Sequence, residues 1–265
     1  MEQTRFIMES VTFCYLRRTF FLCIFITGYG ACAFAYQPIW SPAGTKIPGD
    51  RVAFFTHNST KWDFQGHGAG GANALAEWAA GAQIPRVYMM DEYNNGYYLA
   101  KAPDFLFHSN SGEFIGEVAA SEMYFAGAYL EACLSQTVKD TISQSVRNNG
   151  NQNIKITFIT DGIRSGEEEM AEDSVAKAKL LAYYSRNSYS YPNLQEDLNV
   201  IGDADEIHSY LLRFLEHRSS TYNLQGFSHK ILVSYQGTVF AVFKEGTSNH
   251  TMTFDFSDSR SLTTK

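Results

Sequence analysis

Short apolar runs alternate with longer stretches of helical period through the middle of this chain. Residues 52–56, 87–90, 123–126 and 154–159 are apolar runs of strand length, while 72–82, 130–146 and 167–184 have helical character. Strands alternating with helices predict a parallel sheet covered on both faces, a three-layer Rossmann-like α/β fold. Ligands of such sheets bind outside the carboxyl ends of the strands, so chemistry is expected at those ends. The pattern changes after Tyr184. Residues 185–192 are polar and Tyr-rich and read as a linker or surface loop, and 203–217 is an amphipathic helix with Ile207, Leu211, Phe214 and Leu215 on one stripe. From Lys230 the period becomes two. Residues 231–235, 238–243 and 251–256 predict an antiparallel meander, with Gln236-Gly237 as a tight turn. The expected organisation is a core over 51–184 and a C-terminal helix-plus-meander extension over 185–265.

The N-terminus reads as an export signal. Arg17 and Arg18 precede an apolar stretch over 19–27, and small residues lead to Ala33-Phe34-Ala35, an A-x-A cleavage site before Tyr36. The apolar run is short and glycine-interrupted for a membrane span, although an uncleaved anchor is the alternative reading. Met8 is an alternative start with a shorter basic region. Residues 36–50 hold Pro38, Pro42, Pro48, Gly44 and Gly49 and form an extended lead-in. Cleavage after Ala35 removes Cys14, Cys23 and Cys32, which leaves Cys133 alone and rules out an internal disulfide in a secreted or periplasmic product. A lone thiol is either an apolar filler or a reactive group.

Composition narrows the class of partner. With 265 residues, 45% hydrophobic and 18% charged, the chain builds one medium α/β core. A net charge of -7 with no run of Lys or Arg excludes nucleic acid and an anionic membrane as the main partner. A small-molecule substrate is expected instead. The C-terminal extension is left to cover a site or to build a homo-oligomer interface.

The chemistry sits in Phe125-Ala126-Gly127-Ala128-Tyr129-Leu130-Glu131-Ala132-Cys133, at a strand-to-helix junction. Such a junction puts a cysteine sulphur at a helix N-terminus, where the dipole and N–H groups favour a thiolate and, later, an oxyanion. This stretch resembles the isochorismatase-like cysteine hydrolases, nicotinamidases among them, in which the strand ends in Gly and the Cys follows six residues later. Thr137 and Asp140 match the family's continuation on the helix. Lys101, with Pro103 and Phe107, resembles its Lys-Pro segment ending in an aromatic, and Ile159-Thr160-Asp161-Gly162 resembles the strand-end Asp of the next unit. The resemblance covers residues 52–184, about half of the chain. It implies a Cys133 thiolate that attacks the carbon of a small amide, forms a thioester and is released by water. It also implies that Lys101 lowers the Cys133 pKa and that neighbouring N–H groups hold the oxyanion. Tyr129, on the same turn, is the expected pocket residue, with Phe107, Trp62 and Ala128 beside it.

The third catalytic member departs from the family, which places an Asp at the end of the first strand. Here the segment reads Phe54-Phe55-Thr56-His57-Asn58. His57 is one candidate base, giving a Cys–His dyad, and Asp63 is another. The remaining reading is a chain that has lost its base and serves as a binding or interaction protein. No cofactor is expected. Some nicotinamidases hold a zinc-like ion near this segment, and His57, Asp63 and His67 are the residues that would ligate one, at a spacing unlike the family's. The glycines of 66–71 lack the Lys-Ser/Thr of a phosphate loop, Ser109-Asn110-Ser111-Gly112 lacks a serine nucleophile elbow, and Glu167-Glu168-Glu169 is a solvated first turn.

Overall fold

Val52, Ala53, Phe54 and Phe55 are consecutive and fully buried, as expected of a strand covered on both faces. In the computed structural model, the residues described are 39–58, 70–91, 99–149, 152–164, 175–187 and 193–262. The expected signal segment, Trp62, Asp63 and His67 lie outside them. Residues 38–265 belong to one compact unit. Its first half runs β1 (Arg51–Thr56), α1 (Gly70–Gly81), β2 (Arg86–Met90), β3 (Phe105–His108), β4 (Glu122–Gly127), α2 (Cys133–Asn149) and β5 (Ile154–Ile163). Then come α3 (Val175–Asn187), α4 (Leu194–Ile201), α5 (Ala204–Arg218), β6 (Lys230–Tyr235), β7 (Thr238–Lys244) and β8 (Thr251–Ser257).

The eight strands form one sheet in the order β3-β2-β1-β4-β5-β8-β6-β7, parallel throughout except for the β6–β7 pair. The fold is therefore α/β, a mostly parallel sheet flanked by helices. Ala53, Phe55, Tyr88 and Met90 face α1, where Leu75, Ala76 and Ala79 cover them. Val52, Phe54, Phe125, Phe158, Phe254 and Phe256 face the other way, under α2, α4 and α5. Phe158 stacks on Phe256 at 4.8 Å, so the aromatic core runs unbroken from the expected α/β unit into the C-terminal strands. No described helix is long and apolar enough to cross a membrane.

Three elements differ from the sequence expectation. β6 and β7 do form an antiparallel hairpin through Gln236 and Gly237, both at positive φ as a type I′ turn requires. The expected third strand of the meander, β8, instead crosses β6 and inserts parallel between β5 and β6. Alternation reports that one face of a strand is apolar; it says nothing of the direction of the neighbour. α4 follows the polar linker and owes its start to a capping box, Asn193 Oδ1 accepting from the Glu196 N–H while the Glu196 side chain returns to the Asn193 N–H. β3 is four residues long, too short to register as an apolar run.

Candidate functional site

The carboxyl ends of β1, β3 and β4 meet the first turn of α2. β4 ends at Gly127, whose φ of 136° belongs to glycine and whose Cα lies so close to β1 that a Cβ would stand 2.2 Å from the Thr56 carbonyl oxygen. The chain then passes through a cis Ala128–Tyr129 peptide and turns into α2, with the Ala128 N–H donating to the Thr56 carbonyl at 3.0 Å. Cys133 is the first residue of α2, and its thiol is half-buried.

A side-chain relay fixes that first turn. The Thr137 hydroxyl lies 2.7 Å from the Gly112 carbonyl and 2.8 Å from the Thr56 hydroxyl. Carbonyls only accept, so the single Thr137 proton is turned to the Gly112 and Cys133 carbonyls, the latter at 3.2 Å, and the Thr56 hydroxyl donates to Thr137. Gly112, at φ 81°, rests against Cys133 so closely that a Cβ would stand 1.9 Å from the Cys133 carbonyl oxygen. Asp140 accepts from the Phe114 N–H at 3.1 Å, pinning the same loop from further along α2. Thr137 and Asp140 therefore hold the loop over the cysteine.

That loop links Cys133 to His57. The Cys133 thiol points at the Asn110 carbonyl, 4.0 Å away, and the adjacent Ser109 carbonyl lies 2.8 Å from His57 Nε2. Because the carbonyl accepts, Nε2 carries the proton and the neutral ring has its lone pair on Nδ1. His57 is buried, at φ 51°, and its N–H donates to the Met89 carbonyl at 2.8 Å. The Ser109 hydroxyl is buried beside it without a hydrogen-bond partner among the described residues.

The electrostatics differ from those implied by the resemblance. Burial pushes the Cys133 thiol up, its own N–H acts in the opposite direction, and Asp91 pushes it up further. Lys101 is exposed, and its carbonyl accepts from the Tyr88 hydroxyl at 2.9 Å on the α1 side of the sheet, whereas Cys133 heads a helix on the other side. The expected lowering of the Cys133 pKa is thus not met. The oxyanion donors are also fewer than expected, since the N–H groups of Ala132 and Leu134 both converge on the Tyr129 carbonyl, at 3.0 and 3.1 Å. Of the expected pocket residues, Tyr129 is half-buried at the junction, Ala128 is buried, and Phe107 is a core residue packed edge to face on Phe114 at 5.4 Å. Phe107 was placed by its spacing from Lys101, which does not tell which face of a strand a side chain takes. Asp161 is likewise structural, accepting from the Ser259 N–H at 2.8 Å and from the Ser259 hydroxyl. Among the described residues no group of three His, Cys, Asp or Glu side chains is placed to hold a metal, and Asp63 and His67 lie outside them.

The sequence assigns no role at this site to Asp91, Ser109 or Asn110. Asp91 ends an apolar run, where an acidic residue reads as a mere strand boundary. Ser109 and Asn110 figure in the sequence only as part of a stretch that lacks a serine nucleophile elbow, and the parallel register of β3 on β2 brings them to the same edge as His57 and Cys133.

No family model matches the chain, and no curated protein matches it. Among solved structures, it is similar to the MAR1 ribonuclease from Caenorhabditis elegans at 12% identity and a TM-score of 0.35, over 64% of this chain and 93% of that one. It is similar to YcaC from Pseudomonas aeruginosa at 13% identity and a TM-score of 0.32, over 67% and 95% of the two chains. A cysteine hydrolase from Pseudomonas syringae pv. phaseolicola gives 10% identity and a TM-score of 0.28, over 65% and 100%. At identities and TM-scores this low, the likeness assigns neither family nor activity.

Proposed function

We propose that this chain is an exported, isochorismatase-like cysteine hydrolase that cleaves the carbon–nitrogen bond of a small amide through a thioester on Cys133. The observation that carries the reading is the position of Cys133. It is the first residue of a helix at the carboxyl edge of a parallel sheet, against a loop that also binds His57. Since the free thiol is held protonated, attack requires a base. His57 Nδ1 accepts the thiol proton as sulphur bonds to the carbonyl carbon. The resulting imidazolium returns that proton to the departing amine as the carbon–nitrogen bond breaks. Water, deprotonated by the same ring, then attacks the thioester and releases the acid and the thiol. The Cys133 N–H, which favours its own thiolate, is the main-chain donor assigned to the developing oxyanion. Cleavage near Ala35 delivers the mature chain.

A second reading is favoured by the thiol itself. A thiol pKa raised by burial and by the neighbouring Asp91 describes a cysteine that binds without turning over. Ammonia release from a panel of small primary amides separates the two. The hydrolase reading expects release by the full chain and its loss, by at least about a hundredfold, in Cys133→Ala. Release by neither favours the binding protein, and equal release by both removes Cys133 from the reaction.

A further inference from the structure

The α1 side of the sheet holds a recess unrelated to Cys133. In a parallel sheet covered on both faces, strands read as nearly continuous apolar runs. β8 does not, since Met252, Phe254 and Phe256 enter the core on the α5 side while Thr253, Asp255 and Ser257 face the other way. A cleft of about 800 Å³ opens on that face, within the size range of small-molecule sites. Its floor is a grid set by strand register, with Arg51, Glu122 and Lys155 side by side in one row and Tyr124, Thr157 and Asp255 in the next. Adjacent strands lie about 4.8 Å apart, so groups that donate and groups that accept recur at that spacing.

Two features set this floor apart from a solvated sheet face. Thr157, Asp255 and Ser257 are only 4%, 2% and 1% exposed. Asp255 is fully prearranged. It accepts from Ser234 Oγ at 2.6 Å, Ser257 Oγ at 2.9 Å and the Gly237 N–H at 3.1 Å, and lies 3.4 Å from Lys155 Nζ. The Thr157 hydroxyl, by contrast, makes no hydrogen bond among the described residues and lines the cleft. It is therefore open to a hydrogen bond from a ligand in the cleft. One wall is aromatic, Trp78 of α1 meeting Tyr124 edge to face at 4.8 Å, and Leu262 and the Gln236-Gly237 turn also border the space.

We propose that this cleft is a second binding site, for an uncharged polyhydroxylated ligand of the saccharide class. The charges lining it are mixed, Arg51 and Lys155 against Asp50, Glu122 and Asp255, so a strongly charged ligand of either sign meets like charges at close range. Hydroxyl groups donate and accept from the same oxygen and satisfy such a grid without a net charge. The Trp78 and Tyr124 rings offer the apolar contact that the C–H faces of a sugar ring need.

Calorimetric titration of the full chain with maltotriose, cellotriose and di-N-acetylchitobiose tests the site, with inorganic phosphate and citrate as charged probes. Saturable binding of at least one neutral sugar is expected. It should weaken about fivefold or more in Thr157→Val and in Trp78→Leu, with thermal unfolding retained, and be unchanged in Cys133→Ala. Absence of saturable heat with every sugar overturns the proposal. So does undiminished affinity in both Thr157→Val and Trp78→Leu, or binding of phosphate or citrate alone that is lost in Lys155→Gln.

Discussion

The thiol of Cys133 is addressed by the backbone and restrained by its neighbours. Its place at the head of α2 was legible in the sequence, because a strand ending in Gly127 followed by a helix of apolar stripe fixes the junction within a residue or two. Its partners were not. Spacing along the chain selected Lys101, whose carbonyl instead accepts from the Tyr88 hydroxyl on the α1 side, while Asp91 arrives from the end of β2. The sign of the consequence is fixed. Burial and a like charge both favour the neutral thiol, so the thiolate fraction at neutral pH lies below that of a free cysteine and grows only as pH rises past the ordinary thiol range. Alkylation of the full chain by iodoacetamide is therefore expected to be slower than that of a free thiol at pH 7, and Asp91→Asn should speed it about two- to fivefold. A faster reaction than the free thiol, or no response to Asp91→Asn, would show that another group controls the proton.

At the scale of elements, the parallel α/β core was readable because its strands are apolar on both faces and its helices keep their period. β5 was read as far as Ile159 and runs to Ile163, and β8 was read as a strand but given the wrong neighbours. Pairing direction depends on which strand edge is open when the chain returns, a property of the whole sheet. The inserted position of β8 makes the C-terminal segment part of the core: Phe254 and Phe256 belong to the same cluster as Phe125 and Phe158. A chain ended before Thr251 exposes the edges of β5 and β6 together with that aromatic stack, and it is expected to lose cooperative unfolding and to aggregate. Retention of a sharp two-state melt by a chain ended at residue 184 would show that the first half stands alone.

Over the whole molecule, the two faces of one sheet carry separate chemistry. The carboxyl edge gathers Cys133, His57, Ser109 and Asn110, and the α1 side of β4, β5 and β8 carries a polar recess built on Asp255. The alternation in Thr251-Met252-Thr253-Phe254-Asp255-Phe256-Ser257 already announced one-sided burial in the sequence, but it was assigned to a detached meander because nothing in a strand pattern names its sheet. The acidic balance of -7 without a basic cluster fits the small-molecule ligands proposed for the carboxyl edge and for the α1 side.

The covalent step is the heart of the proposed activity, and peptide mass mapping reads it directly. The full chain is mixed with small primary amides, quenched in acid within the first turnovers and digested. A mass increase equal to the acyl group on the peptide that carries Cys133, absent in Cys133→Ala, is the expected result. Amide turnover with no adduct on that peptide, or with an acyl group on any other residue, would remove Cys133 from the reaction.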